Sequence, residues 1–393
     1  MSGTGALAQA RRLRIAILNR NFSTTGGGAE GYSIALVRQL AGKHEIHVFA
    51  QDFDPSWPGV DVHLHRVSAP MRKPRWINQL WYATATWWAT RRGFDVVHSH
   101  ENTWHGNVQT FHVLPVRHNL FSGKRGAARL LRWVKVVTSP RLLTYLALEK
   151  LRFRVTPGRQ LVVTSASLQH MVLQSYPEAA GRLSIVTPGI RMPEQRHDSL
   201  RKSTARTALG LPPDATCLLF VGNDYRKKGL PGLLAAFADL PPDAVLAVVG
   251  NPAQIPAFAA QVKAMGLDGR VFFLGSLPDV TPAYEAADIL VHPTLEDTFA
   301  MVVLEAMSHG LPVVVSAAQY CGIAGLLSHG SNALVLENPR DPQAIGEAVT
   351  AILESPPLRQ SLSANAAAFA ARFEWPEIAL RQAAVYDAAV AGR

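Results

Sequence analysis

Short apolar runs of strand length alternate with helix-patterned stretches along this chain, and the alternation runs through twice. The first pass opens with "RLRIAILNRN", then the glycine-rich "FSTTGGGAEG" and the helical pattern "YSIALVRQLAGK". "HEIHVFAQD" and "FDVVHSH" follow as strands, "QLVVTSASLQHMVLQSY" reads as strand then helix, and "LSIVTPGI" as strand then turn. After a polar, proline-containing stretch, "RMPEQRHDSLRKSTARTALGLPPDAT", the alternation restarts. There "CLLFVGN", "AVLAVVG", "VFFLG", "DILVHPT", "LPVVVS" and "NALVLE" read as strands separated by helical patterns. Strand–helix alternation at this spacing predicts parallel sheets covered by helices on both faces. The expected fold is α/β: two doubly wound, Rossmann-like domains joined by a polar linker and facing each other across a cleft. Open parallel sheets bind ligands at the carboxyl ends of their strands, so the cleft is the expected site.

The remaining bulk properties narrow the class. With 393 residues, the chain is long enough for two cores, and 48% hydrophobic with 17% charged residues is a globular composition. Apolar runs such as "AVLAVVG" and "AMVVL" are far too short to span a bilayer. The N-terminus lacks the long apolar core of a secretory signal and reads as a disordered leader of about ten residues. Cys217 and Cys321 stand far apart in apolar surroundings, which suits buried free thiols in a reducing cytoplasm.

The net charge is +10, and one segment carries as much as the whole. Between Arg117 and Arg159 stand eleven lysines and arginines, with Glu149 the one acid. Leu120, Phe121, Leu130, Leu131, Trp133, Leu142, Tyr145 and Leu146 interleave with them. Such a mixture suits an amphipathic surface on an anionic leaflet. "RKPRWINQLWYATATWWATRR" adds cations together with Trp76, Trp81, Trp87 and Trp88, and tryptophan favours membrane interfaces. The competing reading is a set of ordinary helices whose tryptophans fill the core. No nucleic-acid-binding motif accompanies the charge, so nucleic acid is not expected as a partner.

Three motifs bear on chemistry. In "TTGGGAEG", Gly26, Gly27 and Gly28 sit between a strand and a helix, where bare backbone and a helix N-terminus suit an anion; a tight turn explains the same residues, and the spacing is not the dinucleotide fingerprint. In "VGNDYRKKGL", Arg226, Lys227 and Lys228 stand at the carboxyl end of a strand, where a diphosphate needs positive charge; a solvated loop is the alternative. In "LEDTFAMVVLEAMSHGLPVVVS", Asp297 precedes Glu305 with seven residues between them. Carboxylates hold sugar diols by accepting pairs of hydroxyl hydrogen bonds. Asp297 also makes a good helix N-cap, but capping does not explain Glu305 inside an apolar helix, where an unpaired charge is costly.

Together these stretches resemble the retaining GT-B glycosyltransferases of family 4. The resemblance rests on "VGNDYRKKGL" and "DTFAMVVLEAMSHGLPVV", supported by "GGAE", "HEIHVFA", "DVVHSH" and "VTPGI", and it covers nearly the whole chain. Within the family the clamp looks most like that of bacterial lipopolysaccharide core glucosyltransferases. The resemblance implies an N-terminal acceptor-binding domain over 1–192, a nucleotide-sugar-binding domain over 193–372, and a helix over 373–393 returning toward the first. It assigns the donor ribose to Glu305, the donor sugar hydroxyls to Asp297 with the backbone of Thr298, Phe299 and Ala300, and the leaving diphosphate to Lys227 and Lys228, with either Arg226 supplying the charge of the clamp's usual arginine or the clamp resting on the lysines. Glycines 26 to 28 would approach the phosphates, His112 would touch the donor sugar, and Glu30 would contact the acceptor. A backbone cap at a strand end is the other reading of His112, and a place on the surface of the first helix the other reading of Glu30. Lys228, Asp297 and His112 are thus the implied catalytic residues.

Two departures from the family pattern stand out: Asn223 replaces the usual arginine of the clamp, and Ala300 replaces a common glycine. The resemblance implies an activity that is metal-independent and needs no cofactor beyond the nucleotide sugar. His98, His100 and His105 read better as a strand end and an acceptor-side loop than as metal ligands. The expectation is a cytoplasmic enzyme, peripheral to the inner membrane, that moves a hexose, by resemblance glucose from UDP, onto a glycolipid. A nucleotide-sugar epimerase or hydrolase of the same fold, or a non-catalytic nucleotide-sugar binder, remains open on the sequence.

Overall fold

The computed structural model describes residues 11–23, 28–54, 61–194 and 199–393. Gly26, Gly27 and the expected leader lie outside the described residues. The chain divides into two compact units. The first comprises Met1–Val163, Met171–Val186 and Ala379–Arg393; the second comprises Thr164–His170 and Thr187–Ile378.

The first unit is built on strands β1 (Arg14–Leu18), β3 (Glu45–Ala50), β5 (Val62–Arg66), β6 (Val96–Ser99), β7 (Val108–Phe111), β8 (Gln160–Val163) and β9 (Leu183–Ile185). They form one parallel sheet in the order β5-β3-β1-β6-β7-β8-β9. A short parallel ladder pairs β2 (Asn21–Phe22) with β4 (Asp52–Phe53). Helices α1 (Gly28–Leu40), α2 (Arg75–Thr90), α3 (Val116–Phe121), α4 (Gly126–Val137), α5 (Pro140–Arg152) and α6 (Ala166–Ser175) connect the strands. The central strands are buried at nearly every position, apolar in most of β1 and β8 but with buried polar residues in β6 and β7.

The second unit repeats the plan. Strands β10 (Thr216–Val221), β11 (Ala244–Val249), β12 (Val271–Gly275), β13 (Ile289–His292), β14 (Val313–Ser316) and β15 (Leu334–Leu336) form a parallel sheet ordered β12-β11-β10-β13-β14-β15. Its helices are α7 (Ser199–Leu209), α8 (Leu230–Phe237), α9 (Ile255–Ala264), α10 (Thr281–Ala286), α11 (Met301–Ser308), α12 (Pro342–Glu354) and α13 (Pro356–Ala370). Leu218, Phe220, Leu246, Val248, Ile289 and Val291 of this sheet meet Leu233, Leu234, Phe237, Ile345 and Val349 of α8 and α12 in one core. Helix α14 (Trp375–Ala391) starts at the tryptophan–proline pair after an extended Glu374, and its last part belongs to the first unit, where the Tyr386 hydroxyl lies 2.8 Å from His98 Nδ1.

Each sheet reverses its winding between two central strands, β1 and β6 in the first and β10 and β13 in the second. In doubly wound sheets the loops after those strands splay apart and form the ligand crevice. The clamp "NDYRKKG" follows β10 and "TLEDTFA" follows β13, so the topology of the second sheet brings these two motifs side by side.

One stretch differs from the sequence reading. The weakly patterned linker contains α7, an eleven-residue helix. Its attachment is polar rather than apolar, which hides it from hydrophobic periodicity. Arg206 is buried and donates to Ala286 O at 3.0 Å and to Asp288 at 2.8 Å, Lys202 pairs with the same carboxylate, and Arg201 pairs with Glu285.

Candidate active site

The clamp owes its shape to Gly229. This residue has φ +85°, and a Cβ there would stand 1.9 Å from Pro293 O, so only glycine fits against the end of β13. The stem of Lys228 lies along Gly222 at the end of β10, where a Cβ would meet Lys228 Cγ at 2.8 Å. The ammonium is thereby delivered to the loop after β13. Lys228 Nζ lies 2.5 Å from Asp297 Oδ2 and donates to Glu296 O at 3.2 Å. Lys227 Nζ pairs with Glu296 Oε1 at 2.6 Å, with both side chains about half exposed. Arg226 is placed differently: its guanidinium lies 5.7 Å from the centroid of the Phe258 ring. Asn223 is exposed and its carbonyl accepts from Gln254 Nε2 at 2.5 Å.

Asp297 is not the helix N-cap that the sequence suggested. Helix α11 begins only at Met301. Asp297 Oδ1 accepts from the N–H groups of Phe299 at 3.1 Å and Ala300 at 2.7 Å, closing an Asx-type turn ahead of the helix. The backbone around it is also fixed: Asp297 N donates to Tyr320 O, and Gly322 N donates to Asp297 O at 3.0 Å. Gly322 has no room for a side chain, because a Cβ would stand 2.0 Å from Thr298 O. Ser165 Oγ donates to that same carbonyl at 2.6 Å. Burial by itself would raise the Asp297 pKa. His292, whose Nε2 is 3.6 Å away, and the Lys228 ammonium reverse this and hold the carboxyl well below the usual range.

Glu305 lies on the second turn of α11, half-buried. Its Oε2 accepts from the Tyr284 hydroxyl at 2.6 Å, and that ring stacks on His309. Here burial dominates and raises the carboxyl above its ordinary range despite the hydrogen bond. Tyr284, His292, Ser165 and Gly322 are contributors that sequence reading passed over. Tyr284 sits in a six-residue helix whose apolar and aromatic residues look like core, and nothing in its local pattern points to Glu305.

Among the described residues Ala300 alone, apart from glycines, has positive φ, at 72°. A side chain in this left-handed region costs roughly 1–2 kcal/mol. The methyl is buried, so it both strains the backbone and packs. This gives a physical reason for the glycine that the resemblance leads one to expect here.

In the first unit the reversal lies between β1 and β6, and the residues singled out near it form a separate set. His112 follows β7, with its Nε2 3.0 Å from His100 Nδ1 and its ring stacked on that of His100. Tyr32 of α1 meets His112 edge-on at 4.9 Å between centroids. Burial pushes His112 down to about 3, so the ring is neutral at physiological pH. Glu30 lies half-buried in the first turn of α1, and its carbonyl accepts from Ser33 Oγ. Gly28 is the first residue of that helix. His98 is spent on Tyr386 and Thr110.

Comparison with known proteins agrees with this architecture. Residues 26–192 match the family profile "Glycosyltransferase Family 4", and residues 201–369 match "Glycosyl transferases group 1". "D-inositol 3-phosphate glycosyltransferase 2" of Catenulispora acidiphila is 33% identical over 250 residues, covering 60% of this chain and 57% of that protein. "Lipopolysaccharide glucosyltransferase WaaG" of Escherichia coli is 28% identical over 232 residues, covering 58% of this chain and 61% of that protein. A crystal structure of WaaG matches 95% of this chain and 99% of its own with a TM-score of 0.79 at 22% identity. Anabaena HepE in complex with UDP-glucose matches 96% of this chain and 100% of its own with a TM-score of 0.73 at 18% identity. The matched regions thus span a little over half the length of the curated relatives. The two Rossmann-like sheets have the GT-B architecture of these solved structures. The chain belongs to the group 1, family 4 glycosyltransferases, and it resembles the lipopolysaccharide core glucosyltransferases among them.

Two outcomes follow from this geometry. Ala300→Gly is expected to stabilise the protein by about 1 kcal/mol, because relief of the left-handed strain exceeds the loss of one methyl contact; denaturant midpoints of the two proteins measure it. Glu305→Gln is expected to raise Tm at pH 7. The folded carboxyl binds its proton more readily than the ordinary value of 4.5, so stability falls as pH rises from 4.5 through the raised value. Glutamine keeps an acceptor for Tyr284 and carries no charge. The gain should vanish below about pH 4.5, where wild-type Glu305 is neutral in both states; melts across pH that show no such dependence would refute the assignment.

Proposed function

We propose that this chain is a retaining hexosyltransferase that transfers glucose from UDP-glucose to a glycolipid acceptor of lipopolysaccharide-core type, at the cytoplasmic surface of the inner membrane. The observation that carries the donor half is the contact between Lys228 and Asp297 on the two loops flanking the β10/β13 reversal. It sets an ammonium for a departing diphosphate beside a carboxylate for sugar hydroxyls. Glu305 accepts the ribose hydroxyls through the oxygen that Tyr284 leaves available. HepE has been crystallised with UDP-glucose, and WaaG is named a lipopolysaccharide glucosyltransferase, which supports the choice of donor and acceptor.

In this reading the bond between C1 of the sugar and the β-phosphate oxygen breaks, and the electron pair leaves with the diphosphate. Lys228 and Lys227 stabilise that charge. The acceptor hydroxyl attacks from the face that the phosphate leaves, and its proton passes to the departing phosphate oxygen. Each new bond forms on the side where the old one broke, so configuration is retained. Neither step calls on a metal ion, because lysines supply the positive charge.

The acceptor half rests on α4. Leu130, Leu131, Val134 and Val137 recur at helical spacing and are exposed, Leu131 to 70% and Val137 to 58%. Arg125, Arg129 and Lys135 are exposed around them. On α2, Trp81, Trp87 and Trp88 are exposed, while the buried positions of that helix are Asn78, Gln79, Tyr82, Ala83, Thr86 and Thr90. These three tryptophans therefore do not fill the core, whereas Trp76 at the start of the helix is half-buried. Among the described residues no helix is long and apolar enough to cross a membrane, so contact would be peripheral.

A second reading concerns the acceptor alone. Seven of the matched relatives are named D-inositol 3-phosphate glycosyltransferases, at 27 to 33% identity. A soluble sugar-phosphate acceptor would need no apolar surface on α4.

UDP release measured from UDP-glucose separates these readings. Stimulation by a truncated lipopolysaccharide core but not by inositol 3-phosphate is expected, and the reverse result would replace the glycolipid by the soluble acceptor. Lys228→Ala should lower kcat about 10²- to 10³-fold, as loss of one preorganised charge at a developing anion does; an unchanged kcat would end the donor assignment. Replacing Arg129 and Lys135 by glutamine should weaken binding to vesicles containing anionic lipid about thirtyfold, at about 1 kcal/mol for each cation. Equal sedimentation of both proteins with such vesicles would contradict the membrane surface.

A further inference from the structure

The amino ends of β3 and β5 carry a cluster that the glycosyl-transfer reading does not use. Residues two apart on a strand share a face, and the register pairs His47 with His63 and Phe49 with His65. Glu45 and His47 of β3 therefore meet His63 and His65 of β5 on one side of the sheet. One donor atom from each of Glu45, His47 and His63 lies within 4.8 Å of the other two. His47 is buried, Glu45 half-buried and His63 exposed, so the group opens to solvent on one side.

Two further features make this more than a crowd of polar residues. His47 is oriented through both ring nitrogens: Nε2 lies 2.8 Å from Glu45 Oε1, and Nδ1 lies 2.8 Å from His65 Nε2. Metal-ligating histidines are held in this manner, one nitrogen toward the ion and the other hydrogen-bonded outward. The ring is also clamped by stacking on His63 and His65, at 4.5 and 5.1 Å between centroids, and edge-on against Phe94. Second, the place where an ion would sit already attracts a cation. Arg14 Nε lies 3.0 Å from Glu45 Oε1 and 3.3 Å from His47 Nε2. That side chain has partners elsewhere, Gly93 O at 3.1 Å and the Phe94 ring at 5.1 Å, so its guanidinium can withdraw without losing all its contacts.

We infer that Glu45, His47 and His63 form a binding site for a first-row divalent ion of the zinc class, in which the ion takes the place of the Arg14 guanidinium. Two imidazoles and one carboxylate are the donor set of zinc sites that keep a fourth position for water. His65 is the outer partner that fixes the His47 ring. Because the ligands come from adjacent strands, a bound ion ties β5, the edge of the sheet, to β3. The strand ends involved are opposite to those that carry ligand loops in open parallel sheets, so the site is separate from sugar transfer.

The test uses the full chain without a histidine tag. Titration with Co(II) is expected to give visible ligand-field bands that saturate at one equivalent. Zn(II) should displace the cobalt and raise Tm, since an ion that binds the folded state stabilises it by mass action. His63→Ala, at an exposed position that leaves the core intact, should weaken Co(II) at least about tenfold. Arg14→Gln should tighten it, and an unchanged affinity there would overturn the exchange of ion for guanidinium. No ligand-field bands in the wild type, or the same titration in His63→Ala as in wild type, would overturn the site.

Discussion

The contact between Lys228 and Asp297 is the joint on which the loops after β10 and β13 depend. It connects the segment after β10 to the segment after β13, the neighbouring strands between which the second sheet reverses. Each partner is committed on both sides. The stem of Lys228 runs along Gly222, where a Cβ would meet it at 2.8 Å, and Gly229 fits closely against Pro293. Asp297 divides its oxygens: one holds the ammonium and the other closes the turn through the Phe299 and Ala300 N–H groups. The turn decides where α11 begins and so where Glu305 stands. A half-buried ion pair of this kind is weak as a source of stability, since desolvation offsets most of the attraction. Its value lies in fixing two loops in one register.

The two acids of the site are pushed in opposite directions by their surroundings. Asp297 keeps its charge because a lysine and a histidine adjoin it. Glu305 is raised because desolvation outweighs the hydrogen bond from the Tyr284 hydroxyl. Unequal environments for two carboxylates are how one site assigns them unlike tasks. The first is a permanent anion with a structural duty. The second holds its proton more readily and accepts from the Tyr284 hydroxyl. Strain at Ala300 lies between the two, and strained backbone is often retained where geometry has to be held.

Much of the fold is legible in the sequence because buried parallel strands leave a simple signature. Runs such as Ala244–Val249 and Val313–Ser316 are apolar at every position or nearly so, as burial on both faces demands. The clamp and the acid pair are legible because their positions relative to strand ends follow from the alternation. What escapes depends on contacts distant in sequence. Helix α7 is fixed by Arg206 and Lys202 on Asp288, which no local pattern reveals. The Asx turn at Asp297 looks like a helix cap because both place an acid ahead of an apolar run. Tyr284 and Ser165 reach the site from elements that read as core or connector. Arg226 is a candidate in sequence for the missing clamp charge; its guanidinium lies 5.7 Å from the Phe258 ring centroid, while Lys227 and Lys228 pair with Glu296 and Asp297.

The basic segment shows how charge counted along a sequence differs from charge on a surface. Glu149, its one acid, turns inward: it accepts from the Val116 and Arg117 N–H groups and from the Tyr176 hydroxyl, and so anchors the start of α3 to α5. Arg152 also turns inward, bonded to Gln109 at 2.7 Å and to Thr110 O at 2.6 Å, and burial pushes its pKa down to about 10. These two buried groups remove one charge of each sign from the surface, so the outward field stays strongly positive. The remaining cations border a stripe of leucine and valine that, among the described residues, stays exposed. A soluble helix gains by turning such a stripe toward the core. That α4 instead keeps it outward, between arginines and lysines, is a cost to the free protein which contact with an anionic lipid surface would remove.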